Sequence, residues 1–478
     1  MLVYRHGAEE VLGDIDATFP VSLNKRQHML DEHGFENLPE DEALQVAETM
    51  LAFYDHSQLL HRVRTMANTY ILAVLGGSGV ATPCLVQALA SCSKRPPMEV
   101  RLLGRTASKL SLVASLADKL ASKADIALTV RHTTDLARGL DGVDMVLNQI
   151  RVGGYEARAI DESFPHTFGI PGEETFGPGG MNNARRTVPV VLELCREVEK
   201  AAPRALVLNL TNPSSYIQYA IQRYTSLCCV GVCDSPTWLA DSIASVLDVA
   251  REELWVGYIG MHHFGWVTEV THAGRDMMPE LLARVDTLPG LQVDVDIVRA
   301  TRAVPTSYFK YYYHHDRMLA AQEGKPTRAE QLMLLQENIL TDLARPGLQE
   351  LPESLQQRGA VWYDKIIVPV LMSYLQDSHD VHILNVGNGT TLPWMPAESI
   401  VELPVEVSRD GFTPVKPPRL PRDLRAMLQV NAAFEMLWVE AIVERSYEKA
   451  LRAMMLNHLV TSLDQARAIL DKIWAWKG

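Results

Sequence analysis

The 478-residue chain carries a formal net charge of −13, with 47% apolar and 22% charged residues. This is the composition of a soluble globular chain of roughly two or three domains, and its acidic balance speaks against nonspecific binding to nucleic acid or to anionic membrane surfaces. No apolar run reaches the length of a membrane span, the first residues lack the apolar core of a secretory signal, and the six cysteines follow no framework spacing, so a cytoplasmic protein with reduced thiols is expected.

Residues 1-66 stand apart as a helical N-terminal extension. Acids at Glu40, Asp41 and Glu42 suit a first helical turn, and Leu44, Val46, Ala47, Met50, Leu51 and Tyr54 recur at helical spacing. From Tyr70 an apolar run ends in Gly76-Gly77-Ser78-Gly79 and is followed by Leu85, Val86 and Leu89 on one helical face. Strand, glycine turn and helix in that order open a dinucleotide-binding unit, where glycines admit a pyrophosphate to the helix N-terminus. The plain alternative is an ordinary tight turn.

Further strands are predicted near 97–105, 126–130, 143–148 and 205–210, with helices near 108–122 and 188–200 between them. This alternation predicts an α/β fold with a Rossmann-type doubly wound parallel sheet over 67-213. Arg105 stands where an acid usually holds the ribose of NAD; it suits the 2′-phosphate of NADP, while the plain alternative is that it stacks on adenine or faces solvent. The second half, 214-478, reads as an α+β domain. Strands 254–260 and 266–270 flank a His-rich turn, helices cover about 328–343 and 362–377, a strand lies at 381–386, a Pro-rich connector runs from 414 to 421, and helices close the chain at 422–450 and 462–476.

Polar islands interrupt the apolar pattern. Asn148 to Arg158, with Asp161 and Glu162, follows a strand end where open α/β sheets bind ligands; Arg151 and Arg158 could hold an anion or form a surface ion-pair cluster. The glycine-rich stretch Gly172 to Gly180 reads as a loop allowing close backbone approach. Asn212, Cys233 and the pair His262-His263 each follow a strand end. A cysteine with one or two histidines can form half of a divalent-metal site, although a lone Cys or His is more often simply buried. Val304 to His315 is rich in tyrosine, a core cluster, a sugar-stacking wall or a source of a catalytic base.

Taken together, these islands resemble glycoside hydrolase family 4, the NAD- and manganese-dependent glycosidases, which stand outside the two-carboxylate mechanism. The match runs from about Asn68 to Trp476: the glycine turn with Thr82-Pro83, R-V-G-G at Arg151, the E-T-x-G-P-G-G stretch from Glu174, T-N-P at Asn212, C-x-x-P at Cys233, G-x-x-H at His263, and P-x-x-Y from Pro305 to Tyr308. Asn385 to Leu392 and Val401-Glu402-Leu403-Pro404 continue it. The resemblance implies a catalytic domain of the lactate/malate dehydrogenase-like kind. Cys233 and His263 would be metal ligands and Tyr308 the base. Gly76, Gly77, Ser78, Gly79, Arg105 and Asn148 would meet NAD (or NADP), and Arg151, Asn212, Glu174 and Lys310 would contact substrate. It further implies Mn2+ or another divalent metal, a homodimer or homotetramer, and a small-molecule glycoside as substrate. The implied chemistry is transient oxidation at carbon 3, proton removal at carbon 2 and elimination of the aglycone. The competing expectation is an NAD(P)-dependent dehydrogenase with net redox turnover.

The sequence departs from the family at Gly104-Arg105, Glu173, His262 and Lys310. The missing acid before Pro305 and the segment Arg358 to Tyr363 resemble the 6-phospho-β-glucosidase branch.

Overall fold

The computed structural model describes residues 69–474 apart from 359 and 361; the expected extension over 1-66 and the end of the helix expected over 462–476 lie outside them. The strands are β1 (Tyr70–Leu75), β2 (Met98–Leu103), β3 (Leu128–Thr133), β4 (Met145–Asn148), β5 (Leu206–Asn209), β6 (Cys229–Gly231), β7 (Leu254–Met261), β8 (Phe264–His272), β9 (Arg275–Asp276), β10 (Val304–Pro305), β11 (Asp380–Gly387), β12 (Ile400–Ser408) and β13 (Gly411–Pro414). All belong to one sheet, ordered β10-β8-β7-β12-β11-β6-β5-β4-β1-β2-β3, with β13 on β12 and β9 on β8. From β3 to β6 the pairing is parallel, in the 3-2-1-4-5-6 order of a dinucleotide fold. β11, β12, β7 and β8 continue the sheet in antiparallel fashion.

The parallel strands are built as central strands must be. Leu72, Ala73 and Val74 are fully buried, as are Met145, Val146 and Leu147 beside them, because helices cover both faces. Predicted and observed elements differ where local chemistry intervenes. β3 begins at Leu128 rather than 126, since the buried Arg95 guanidinium takes the carbonyls of Ile126 and Ala127. The helix expected from 188 begins at Gly177, so half of the supposed glycine loop is its first turn. The span 362–377 starts as a wide π-turn over Tyr363–Ile367, next to Pro369, which has no N–H to donate. The helix expected over 422–450 is two, Arg422–Glu444 and Tyr447–Leu456. They break at Arg445 (φ 55°) and restart at Ser446, whose hydroxyl caps Lys449 N–H.

Helix Arg422–Glu444 is long and apolar enough to cross a membrane by length and composition, which corrects the expectation that no apolar stretch reaches that length. Half of it is buried: Leu428, Ala432, Trp438 and Val439 pack in the core, and Trp438 Nε1 donates to the Met181 carbonyl at 2.8 Å. Trp438→Ala removes this packing and the hydrogen bond to that carbonyl. It is expected to lower the unfolding free energy by about 3–5 kcal/mol in urea titration.

The parallel and antiparallel parts meet along a row of paired residues, Gly231 with Asn385, Asn385 with Glu402, and Glu402 with Gly260. Glu402 is fully buried and has no ion pair among the described residues. Its oxygens accept from Asn385 Nδ2 at 2.7 Å and the Tyr258 hydroxyl at 2.9 Å. Burial pushes its carboxyl up to about 8 against these two donors. The folded protein therefore keeps a proton that the unfolded chain releases near 4.5. The stability so gained is complete below that pH and is lost as pH rises toward 8. Glu402→Gln should thus gain in melting temperature relative to wild type between about pH 5 and about pH 8; a pH-independent difference contradicts this assignment.

Candidate active site

A cavity of about 840 Å³ opens along the carboxyl ends of the parallel strands and reaches the β7–β8 hairpin. Its wall includes Gly76, Ser78, Gly79, Arg105, Arg151, Glu174, Asn212, Cys233, His263 and Tyr308. The sequence scatters these residues over nearly half its length; the sheet gathers them, because all but Glu174 lie at a strand end or just beyond it.

The glycine turn is as tight as its composition implies. Gly76 has φ 83°, and a Cβ there would sit 2.8 Å from the Gln149 carbonyl oxygen. Helix Thr82–Ser91 begins directly behind it, with Pro83 in its first turn. Gly77 is not on the cavity wall; it lies against β2, where a Cβ would press on Leu102. Asn148 is likewise behind the wall, donating from Nδ2 to Asn209 Oδ1 at 2.9 Å and tying β4 to β5. The neighbouring Gln149, which the sequence reading passed over, faces the cavity instead. It donates to Thr82 Oγ1 at 3.0 Å and accepts from the Tyr363 hydroxyl at 2.7 Å. Arg105 is exposed and forms no ion pair among the described residues. Lys109, a turn farther along, donates to Gln336 at 3.0 Å.

Glu174 is buried between cations. Arg151 bonds one of its oxygens, Arg158 lies 2.8 Å from the other, and Asn212 Nδ2 donates at 3.5 Å. Burial alone would raise its carboxyl; the two guanidiniums outweigh that and hold it at about 2. Arg158 also meets Glu162 at 2.6 Å, and Arg186 grips the buried Asp161. The cluster around Asp161 and Glu162 is therefore a buried network and not a surface one. Lys310 does not reach the cavity: its Nζ donates to Gln292 at 2.5 Å and lies over the Tyr311 ring.

Cys233 follows β6 and precedes helix Ser235–Leu247. His262 and His263 form the whole turn of the β7–β8 hairpin, so short a loop that His263 takes φ 63° and both rings are buried. Strand β10 pairs with β8, and Thr306 is fixed to this hairpin by bonds to the Gly265 and His263 carbonyls. That anchor lays the Tyr308 ring on His263, centroids 3.5 Å apart and planes 10° from parallel. Thr175 Oγ1 bonds Glu173 and lies 2.8 Å from His263 Nδ1. A hydroxyl that donates to Glu173 accepts from Nδ1–H, leaving the lone pair of Nε2 free. Thr175 and Glu173 are thus orienting groups that the sequence showed only as part of a glycine-rich stretch.

Burial keeps these groups uncharged. The Cys233 thiol and the Tyr308 hydroxyl are pushed well above their ordinary ranges, and His262 is lowered to about 3. One buried thiol and neutral imidazoles, donor atoms within 4.8 Å of one another, fit a divalent metal. A cation among them would reverse the pressure on both thiol and phenol.

Residues 70–249 match the family described as Family 4 glycosyl hydrolase, and 258–460 match the Family 4 glycosyl hydrolase C-terminal domain. The chain is 30% identical over 419 residues to a probable 6-phospho-beta-glucosidase of Bacillus subtilis (strain 168), covering 84% of this chain and 95% of that protein. It is 27% identical to a 6-phospho-alpha-glucosidase of Leptotrichia buccalis, covering 84% and 97%. The 6-phospho-beta glucosidase structure from Thermotoga maritima, solved with NAD and glucose-6-phosphate, superposes with a TM-score of 0.78 at 24% identity, covering 84% of this chain and 97% of that one. With both family regions matched in order across the cavity-forming residues, this chain belongs to glycoside hydrolase family 4.

Proposed function

We propose that the chain cleaves glycosides through transient oxidation at carbon 3, proton abstraction at carbon 2 and elimination of the aglycone, acting on β-glucosides or 6-phospho-β-glucosides. The observation that carries this reading is the placing of Tyr308 against His263, beside Cys233, in the cavity that begins at the glycine turn. A bound nicotinamide dinucleotide supplies reversible hydride acceptance at sugar carbon 3, and a bound divalent cation supplies polarisation of the oxygen there.

The chain's own residues do the rest. The turn from Gly76 to Gly79, at the start of helix Thr82–Ser91, lets a pyrophosphate approach the backbone closely, because no Cβ stands at Gly76 or Gly79. Cys233 and His263 hold the cation, and Thr175 fixes the His263 ring. Arg151 and Asn212, both tied to Glu174, present donors to sugar hydroxyls. Tyr308, as tyrosinate, takes the carbon 2 proton, and the leaving group departs from carbon 1. Water then adds at carbon 1, and the proton and hydride return, so no net oxidation occurs.

The β preference is supported by Val304, an apolar residue buried in β10 where α-specific members tend to carry an acid, and by the similarity to the Bacillus relative. The α-glucosidase named among the relatives makes anomer a matter for assay. A dimer or tetramer in the cytoplasm is part of the same proposal.

Para-nitrophenyl α- and β-glucosides, with and without a 6-phosphate, test this reading in the presence of NAD+, Mn2+ and a thiol reductant. Release of nitrophenol without stoichiometric NADH is expected; accumulation of NADH in step with turnover would establish the dehydrogenase alternative. Tyr308→Phe is expected to lower kcat by about 100-fold or more while dinucleotide binding persists. Chelation of the metal should abolish turnover reversibly, because burial then holds the Tyr308 proton in place.

A further inference from the structure

We propose that His262 is a third protein ligand, so that the metal is held by a Cys–His–His set with a position left for substrate oxygen. The proposal rests on the reading that Cys233 and His263 bind a metal. It goes beyond that reading, because His262 stands where the sequence departs from the family pattern.

Geometry carries the inference. Ligand atoms of Cys233, His262 and His263 all lie within 4.8 Å of one another. The two-residue turn sends both imidazoles to the same side, where they stack with centroids 3.8 Å apart. His262 is only 6% exposed, lines the cavity, and has no hydrogen-bond partner among the described residues. Facing the cavity, its ring can offer a nitrogen lone pair to a metal held there. His263 is already held through Nδ1 by Thr175, as metal-bound histidines usually are by a second group. Closing the three donors onto one ion requires the His262 ring to swing out of its stack on His263, because imidazole lone pairs lie in the ring planes and these are only 23° apart.

The donor set has chemical consequences. One thiolate and two imidazoles form a softer set than one thiolate and one imidazole completed by water oxygens. Softer sets favour cobalt, nickel and zinc over manganese. Cobalt(II) is a useful probe because its spectrum reports both sulfur ligation and coordination number.

Cobalt(II) titrated into the full-length, thiol-reduced protein tests the proposal, with wild type, His262→Asn and Cys233→Ser compared. Wild type is expected to show a sulfur-to-cobalt charge-transfer band together with intense visible bands of a low-coordinate site. His262→Asn should keep the charge-transfer band, lose visible intensity, and bind cobalt at least about tenfold more weakly. Unchanged affinity and spectrum in His262→Asn would overturn the third-ligand assignment while leaving Cys233 and His263 in place. Absence of a charge-transfer band from wild type itself would overturn the underlying metal reading as well. A measurement on wild type alone covers the case in which the variant does not fold: hyperfine-shifted imidazole N–H protons of the cobalt form should number two, and a single one overturns the proposal.

Discussion

A buried seam between two kinds of β-pairing holds the site together. β6 is the last parallel strand, and beyond it β11, β12 and β7 run antiparallel. The row Gly231–Asn385–Glu402–Gly260 crosses that boundary, and its only buried carboxyl is held by Asn385 and Tyr258. Cys233 lies two residues beyond one end of this row, and the His262-His263 turn two residues beyond the other. The separation of thiol and imidazoles is therefore set by the sheet. Glycine at 260 is part of the same constraint, since a Cβ there would collide with the Gly265 backbone across the hairpin.

Electrostatics divide the cavity wall into two regimes. Around Glu174 the charges are permanent: a carboxylate held at about 2 between two guanidiniums does not titrate in any working range, and it fixes Arg151 and Asn212 as donors. Around Cys233, His262, His263 and Tyr308 burial suppresses charge altogether. A site of the second kind is inert until a cation enters. That couples the presence of metal to the basicity of Tyr308 and explains why one ring should lie flat on another that belongs to the ligand set.

Much of this was legible in the sequence. The strand, glycine turn and helix from Tyr70 to Ser91 appear as read, because hydrophobic run length and glycine chemistry are local properties. So does the helix Arg328–Leu343, which opens with a complete capping box at Thr327 and Glu330. What escaped was non-local. The stretch from Gly177 to Gly180 has loop composition, yet its glycines begin a helix: a Cβ at Gly179 would strike the carbonyls of Asp161 and Glu173. Strand β12 was visible only as a motif, since Pro404 argues against a central strand. It is tolerated because pairing with β7 falls at Glu402 while pairing with β13 begins at Val405. Lys310 and Asn148 were placed in the site by motif position, and their side chains turn to Gln292 and Asn209 instead. No one-dimensional signal distinguishes a strand-end side chain facing the cavity, such as Gln149, from its neighbour facing the sheet.

The central claim is that Tyr308 removes a carbon-bound proton from the sugar, which direct displacement at carbon 1 never does. Hydrolysis of the best substrate in D2O, followed by proton NMR of the released sugar, tests it most directly. The account predicts deuterium at carbon 2 of the product. Complete retention of the original hydrogen at carbon 2, with normal turnover, would contradict it.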